Sequence, residues 1–178
     1  MNNLLTITWN VDPVAFSIGS LTVRWYGLLF AVGFLLAVYM LGKIFKAEKY
    51  PDDWADKTFL YIIVGVVIGA RLAHVFFYDW AYYKDHLSEI LMVWHGGLAS
   101  HGGVLGGVIA MIFLAKKVMK KPLLWLGDRV FAVAGITATC IRLGNLMNSE
   151  IYGHETTLPW GFKYLRDFPS LPEALVPA

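Results

Sequence analysis

Apolar residues in this chain gather into four long runs separated by short polar stretches, with neither the strict alternation of a half-buried strand nor the one-sided stripe of a soluble helix. A run of about 20 apolar residues is what a helix needs to cross the hydrocarbon core of a bilayer. Such windows fall at roughly 21–41, 58–77, 96–115 and 123–143. The expected fold is therefore all-α: a polytopic membrane helical bundle of four transmembrane helices, forming a single integral membrane domain over residues 1–178. No Lys or Arg precedes the first run, which is also longer than the core of a signal peptide, so it is expected to remain in the protein.

Charge placement orients these spans. Lys43, Lys46, Lys49 and Lys57 follow the first window, and Lys116, Lys117, Lys120 and Lys121 follow the third. The opposite side holds only Lys84, Lys163 and Arg166, which puts the lysine loops inside and the N-terminus outside. Residues 144–178 are polar, contain proline and are too poor in apolar residues to cross again, so they read as an outer segment. The chain ends at PEALVPA without a closing helix, and four spans make a thin bundle, so a partner or a continuation of the chain is expected to complete it.

Composition narrows the class further. Hydrophobic residues make up 57% of the 178 positions and charged residues 16%, with a mean hydropathy of +0.56, values that exclude a disordered or collagen-like chain. One cysteine excludes a disulfide framework and a cysteine-based zinc site. Seven tryptophans and nine tyrosines suit anchoring at two lipid–water boundaries. A net charge of +2 argues for no nucleic-acid partner.

Ionisable residues inside a bilayer are costly, which makes them candidates for function. At about 1.5 Å per residue, Tyr26, Arg71 and His101 each fall roughly 8–9 Å inside the outer ends of their windows, in one layer. Arg142 stands at the outer end of the fourth, with Asn145, Asn148 and Glu150 just beyond. Simpler roles stay open for most of them. Arg71 could snorkel outward with His74 and Tyr78 as hydrogen-bond partners, Tyr26 could belong to an interfacial belt beside Trp25, and Asp128 with Arg129 reads as snorkelling at the inner end. Cys140, lone in an apolar helix, reads as packing.

Six of the twelve residues from 96 to 107 are glycine. The pairs Gly102/Gly106 and Gly103/Gly107 let neighbouring backbones approach, and the missing side chains at Gly102 and Gly103 also leave room for a lipid headgroup beside His101. An imidazole titrates close enough to neutrality to carry protons. Arg142, Asn145 and Asn148 recur at three-residue steps, so a continuing helix would face all three one way. A planar, permanently charged guanidinium with amide donors suits a phosphate ester; a capped helix end with an interfacial arginine is the simpler alternative.

At these residues the chain resembles the bacterial prolipoprotein diacylglyceryl transferases. The stretch IRLGNLMNSEIYG is similar to that family's signature, whose Arg, Gly, Asn, Asn, Glu and Gly fall here on Arg142, Gly144, Asn145, Asn148, Glu150 and Gly153. Ile141 replaces the family's usual glycine, and Leu146 its usual phenylalanine. GGLASHGGVLGG resembles a second hallmark, with the family's essential histidine on His101, while DPVAFSIG and RWYGLLFAVGF resemble its N-terminal pattern, with its tyrosine on Tyr26. Members of that family continue through a His-Pro-x-Gln motif, further spans and a second arginine, so by this resemblance the chain is expected to be shortened at its C-terminus.

The resemblance implies a multi-pass protein of the bacterial inner membrane with its site toward the outer face. It also implies transfer of a diacylglyceryl group from phosphatidylglycerol to the lipobox cysteine of a prolipoprotein signal peptide, forming a thioether and releasing glycerol phosphate. A free thiol has a pKa of about 8.5 and needs a base; His101 is the candidate, directly or through Tyr26. Arg142 with Asn145 and Asn148 is the candidate for the departing phosphate. No metal or cofactor is expected. From another class, His74 and His101 could ligate a haem, and a non-catalytic membrane scaffold is a third reading.

Overall fold

The computed structural model describes residues 7–154 and 160–166. Its helical part follows the four apolar runs, and the chain is a multi-pass membrane protein: α1 (Trp25–Ala47), α2 (Trp54–Phe77), α4 (Ser100–Phe113, continued by the π-helix Leu114–Met119) and α5 (Leu123–Met147) are each long and apolar enough to cross a bilayer. Between α2 and α4 lie a one-turn helix, α3 (Trp80–Tyr83), and two short 3₁₀ turns, Leu87–Leu91 and Val93–His95. Large apolar side chains point outward along the spans, Phe131 at 76% exposed and Leu35 at 70%, as suits helices whose solvent is lipid.

The ends of the spans differ from expectation for local reasons. The first was expected to begin at Leu21, but the backbone of Leu21–Arg24 (β3) is paired antiparallel with Val14–Ile18 (β2) across the two-residue turn Gly19-Ser20, so α1 begins at Trp25. Gly19 takes φ +60° there, a value open to glycine without steric cost. The third was expected from Gly96, yet Gly96 and Gly97 have φ of +88° and +75°, outside the helical region, and α4 begins at Ser100. The second begins four residues early at Trp54, and the fourth runs on to Met147. Within the C-terminal segment, Phe162–Tyr164 (β4) pairs in parallel with Ile7–Trp9 (β1). Residues 155–159 and 167–178 of that segment lie outside the described residues.

The chain packs as two compact units, Met1–Ala37 with Ala134–Ala178, and Val38–Val133; α1 and α5 contribute to both. In the first unit Gly33 brings α1 against α5: a Cβ added there would lie 2.8 Å from the Cβ of Cys140, and Thr137 Oγ1 donates to the Gly33 carbonyl at 3.2 Å. Cys140 is thus a packing residue, as its apolar surroundings in the sequence suggest.

In the second unit the glycines of α4 meet glycines of α2. A Cβ on Gly65 would stand 2.6 Å from the carbonyl oxygen of Gly106, and one on Gly69 would stand 2.8 Å from the Gly106 Cα. Only hydrogen at these positions permits so close a crossing, which in lipid replaces the hydrophobic effect as the source of helix association. At the lysine-rich end Phe45, Tyr50, Trp54 and Trp125 stack on one another with centroids 4.9–6.5 Å apart. Arg129 does not simply snorkel there: its Nε and Nη2 both donate to Glu48 at 2.8 Å, while its guanidinium lies 4.0 Å from the centroid of the Trp125 ring.

Candidate active site

Each unit carries one cluster of the expected residues. In the first unit the cluster is the end of α5. Arg142 is exposed and Asn145 buried on its last turns. Although α5 closes at Met147, the Asn148 N–H still donates to the carbonyls of Gly144 and Asn145, both at 3.1 Å, so the helical bonding extends one residue further. Glu150 then folds back: its Oε1 accepts from Asn145 Nδ2 and Asn148 Nδ2, each at 3.1 Å. The carboxylate orients both amides.

That return turn is strained. Ser149 and Ile151, on either side of Glu150, have φ of +55° and +54°, values costly for side chains and most of all for a β-branched one. Ser149 is 2% exposed, and its Oγ and the Oδ1 of Asn148 are buried without a hydrogen-bond partner among the described residues. Buried polar atoms left unpaired are uncommon and costly. Tyr26 belongs to this cluster, because a Cβ on Gly144 would stand 2.9 Å from Tyr26 Cδ2; the glycine of the signature admits the phenol ring to α5. Tyr26 is the second residue of α1, and so sits at the helix end rather than deeper in the span.

In the second unit His101, likewise the second residue of its helix, is exposed in the first turn of α4. Its ring neighbours come from the end of α2: Tyr78 at 5.7 Å and Phe77 at 6.2 Å between centroids. Gly102 is buried in the seam, where an added Cβ would collide with Ala73 and with the carbonyl of Gly69. Gly103 and Gly107 line an apolar groove of about 440 Å³, with Ser100 at its edge and Val66, Val104 and Phe131 among its walls. Gly103 and Gly107 are buried against Val66 as well, so both glycine pairs belong to the packed seam and the second also borders the groove.

Arg71 is 3% exposed, and its hydrogen bonds run to the segment preceding α4 rather than to His74 or Tyr78. Nε donates to the Ile90 carbonyl at 2.8 Å, Nη2 to Glu89 at 2.6 Å, and Nη1 to Gly96 at 2.5 Å and Gly97 at 3.2 Å. Its guanidinium also lies 5.0 Å from the centroid of the Tyr83 ring. A second tie holds the same segment: Tyr82 Oη donates to Glu89 Oε2 at 3.0 Å, and that hydrogen bond is the main reason the Tyr82 phenol is raised above its ordinary value. The other ring expected to reach a haem, His74, packs beneath Gly97 with Nε2 3.3 Å from Asp79 Oδ2, which denies that nitrogen an open approach.

The sequence profile of the prolipoprotein diacylglyceryl transferases matches residues 13–177. The chain belongs to that family. It is similar to the phosphatidylglycerol–prolipoprotein diacylglyceryl transferases of Porphyromonas gingivalis, with 47% identity over 161 residues, and of Chloroherpeton thalassium, with 49% over 160. Each alignment covers 90% of this chain, and 57% and 60% of the respective relative. The Tolumonas auensis protein of the same description is 44% identical over 158 residues, 89% of this chain and 61% of its own length. The chain therefore spans about three fifths of the length of these curated relatives.

For this transferase-family chain, three contributors to the first cluster escape sequence reasoning. Trp9 donates Nε1–H to the Leu146 carbonyl at 2.8 Å and so satisfies one of the open carbonyls at the end of α5; nothing in the local pattern of β1 marks that role. Ser149 and Ile151 carry backbone strain that their residue types conceal. A glycine would have advertised it.

Proposed function

We propose that this chain transfers the diacylglyceryl group of phosphatidylglycerol to the lipobox cysteine of prolipoprotein signal peptides, at the outer face of the bacterial inner membrane. The observation that carries the reading is the end of α5, where Glu150 accepts from the amides of Asn145 and Asn148, Arg142 is exposed two turns or less away along the helix, and Tyr26 lies against Gly144. Such a constellation suits a phosphate ester: the planar fork of Arg142 matches two phosphate oxygens, and its charge persists at a lipid boundary.

In the reaction the thiol gives its proton to the His101 imidazole. The sulfur electron pair forms a bond to the glycerol carbon that bears the phosphate. The C–O bond breaks, its electrons leave with glycerol phosphate, and a thioether remains. Arg142 offsets the charge that grows on the departing oxygen, where a preformed cation acts without reorganising. The groove beside Gly103 and Gly107 takes an acyl chain of the donor. Arg71, with its donors given to backbone carbonyls, holds the segment before His101 and influences donor binding through that segment.

The test is transfer of labelled phosphatidylglycerol to a lipobox peptide in native membranes, with the protein at its full natural length. His101→Gln is expected to lower the rate by about 10²–10⁴-fold while lipid still binds. For Arg142 the expected order is wild type, then Lys, then Ala, because Lys keeps the charge and loses the fork. Equal rates for Arg and Lys would remove two-point phosphate recognition; wild-type rates in both the His101→Gln and Arg142→Ala proteins would remove the mechanism.

A further inference from the structure

We propose that the lysine-rich end of the Val38–Val133 unit is a binding surface for anionic phospholipid headgroups, served chiefly by Lys116, Lys117, Lys120 and Lys121. The inference rests on the membrane-spanning helices and not on the transfer reaction. From His101 to Lys116 along α4 and its π-helical continuation is about 22 Å at 1.5 Å per residue, so this surface is not the one that His101 serves.

The charges here are poorly matched within the chain. Between Val38 and Val133 this end holds eight lysines and Arg129, against Glu48, Asp52, Asp53, Asp56 and Asp128. Glu48 is taken by Arg129, and Asp53 by Lys57 at 2.6 Å. Lys116, Lys117 and Lys120 are exposed and make no ion pair among the described residues. Four cations within six residues repel one another, and an external anion relieves that repulsion.

Geometry holds them together rather than letting them spread. Leu114–Met119 is π-helical, and the N–H of Lys121 donates to the Ala115 carbonyl at 2.8 Å, which closes the segment into a tight knuckle. Lys120 takes a left-handed conformation, φ +53°, at a position that glycine would occupy without strain. The ammonium of Lys121 lies 4.8 Å from the Tyr50 ring centroid and 5.6 Å from that of Trp125, which pins one cation over the aromatic cluster. Tryptophan and tyrosine settle at headgroup depth. An aromatic platform carrying Lys121, next in the chain to three exposed lysines without ion pairs, thus suits the layer where lipid phosphates are the dense anions, and basic clusters at that depth select anionic lipids.

Phosphatidic acid is a suitable probe because its headgroup is a bare phosphate and it is not the proposed donor. In phosphatidylcholine bilayers containing the full chain, spin-labelled phosphatidic acid is expected to show a larger motionally restricted fraction than spin-labelled phosphatidylcholine. The preference falls as salt is added, and each lysine replaced weakens it about five-fold at low salt. The Lys116→Gln, Lys117→Gln, Lys120→Gln triple variant is expected to lose it, whereas Lys84→Gln at the other end keeps it. Salt titration of the wild-type protein reads the same electrostatics should the triple variant fail to insert. Equal restriction of the two lipids, a preference indifferent to salt, or an unchanged preference in an inserted triple variant would overturn the proposal. Equal restriction together with tight polyglutamate binding would assign the lysines to an acidic protein instead.

Discussion

Replacing Arg71 by methionine keeps an unbranched apolar stem and removes the guanidinium that holds the segment before α4. Three of its bonds, to the carbonyls of Glu89, Ile90 and Gly96, are 2.5–2.8 Å long. A hydrogen bond from a charged donor contributes about 1.5–3 kcal/mol, so three at the lower figure amount to about 4.5 kcal/mol. Leu87, Ser88, Leu91 and Gly96 are exposed, which lets the released carbonyls regain water in part. A net loss of about 3 kcal/mol, or roughly a hundredfold in the local opening equilibrium, is the expected outcome. Hydrogen exchange in lipid discs measures it at the amides of Met92, His95 and Gly96, whose 3₁₀ bonds depend on the segment staying closed. Arg71→Lys is expected to fall between, since one ammonium cannot span all these carbonyls. Unchanged protection of those amides in the methionine variant would refute the bracing role, and so would a loss spread evenly over α2 and α4.

Two further outcomes follow from the helices. Gly69→Leu is expected to separate α2 from α4 and lower the midpoint of thermal unfolding, at a cost of at least 1–3 kcal/mol as a rough figure for overpacking, whereas Gly27→Leu, which meets nothing within 4 Å, is expected to be tolerated; equal effects would mean that the seam does not hold the pair. For orientation, single cysteines in a Cys140→Ala background are expected to react with an impermeant reagent in intact cells at position 10 and not at 46 or 117; the opposite pattern would invert the membrane topology.

Four spans were determined by the sequence alone, because about 20 apolar residues in a row have no other economical use in a small protein and lipid demands that their backbones bond internally. The spacing of glycines in 96–107 likewise announced a close helix contact. Where each helix begins was decided by pairing and dihedrals that composition does not encode. Leu21–Arg24 opens the window read as the first span, yet its backbone bonds were claimed by Val14–Ile18. Tertiary structure alone decided how the polar residues are used: the partners of Arg71 lie 18–26 residues away in the chain, beyond the reach of any helical periodicity. Arg129 found Glu48 eighty-one residues off, and Trp9 reached Leu146 across 137. Residue type and period set which groups must be satisfied; the long-range contacts that satisfy them depend on how the chain folds back on itself, and a linear pattern carries no record of that.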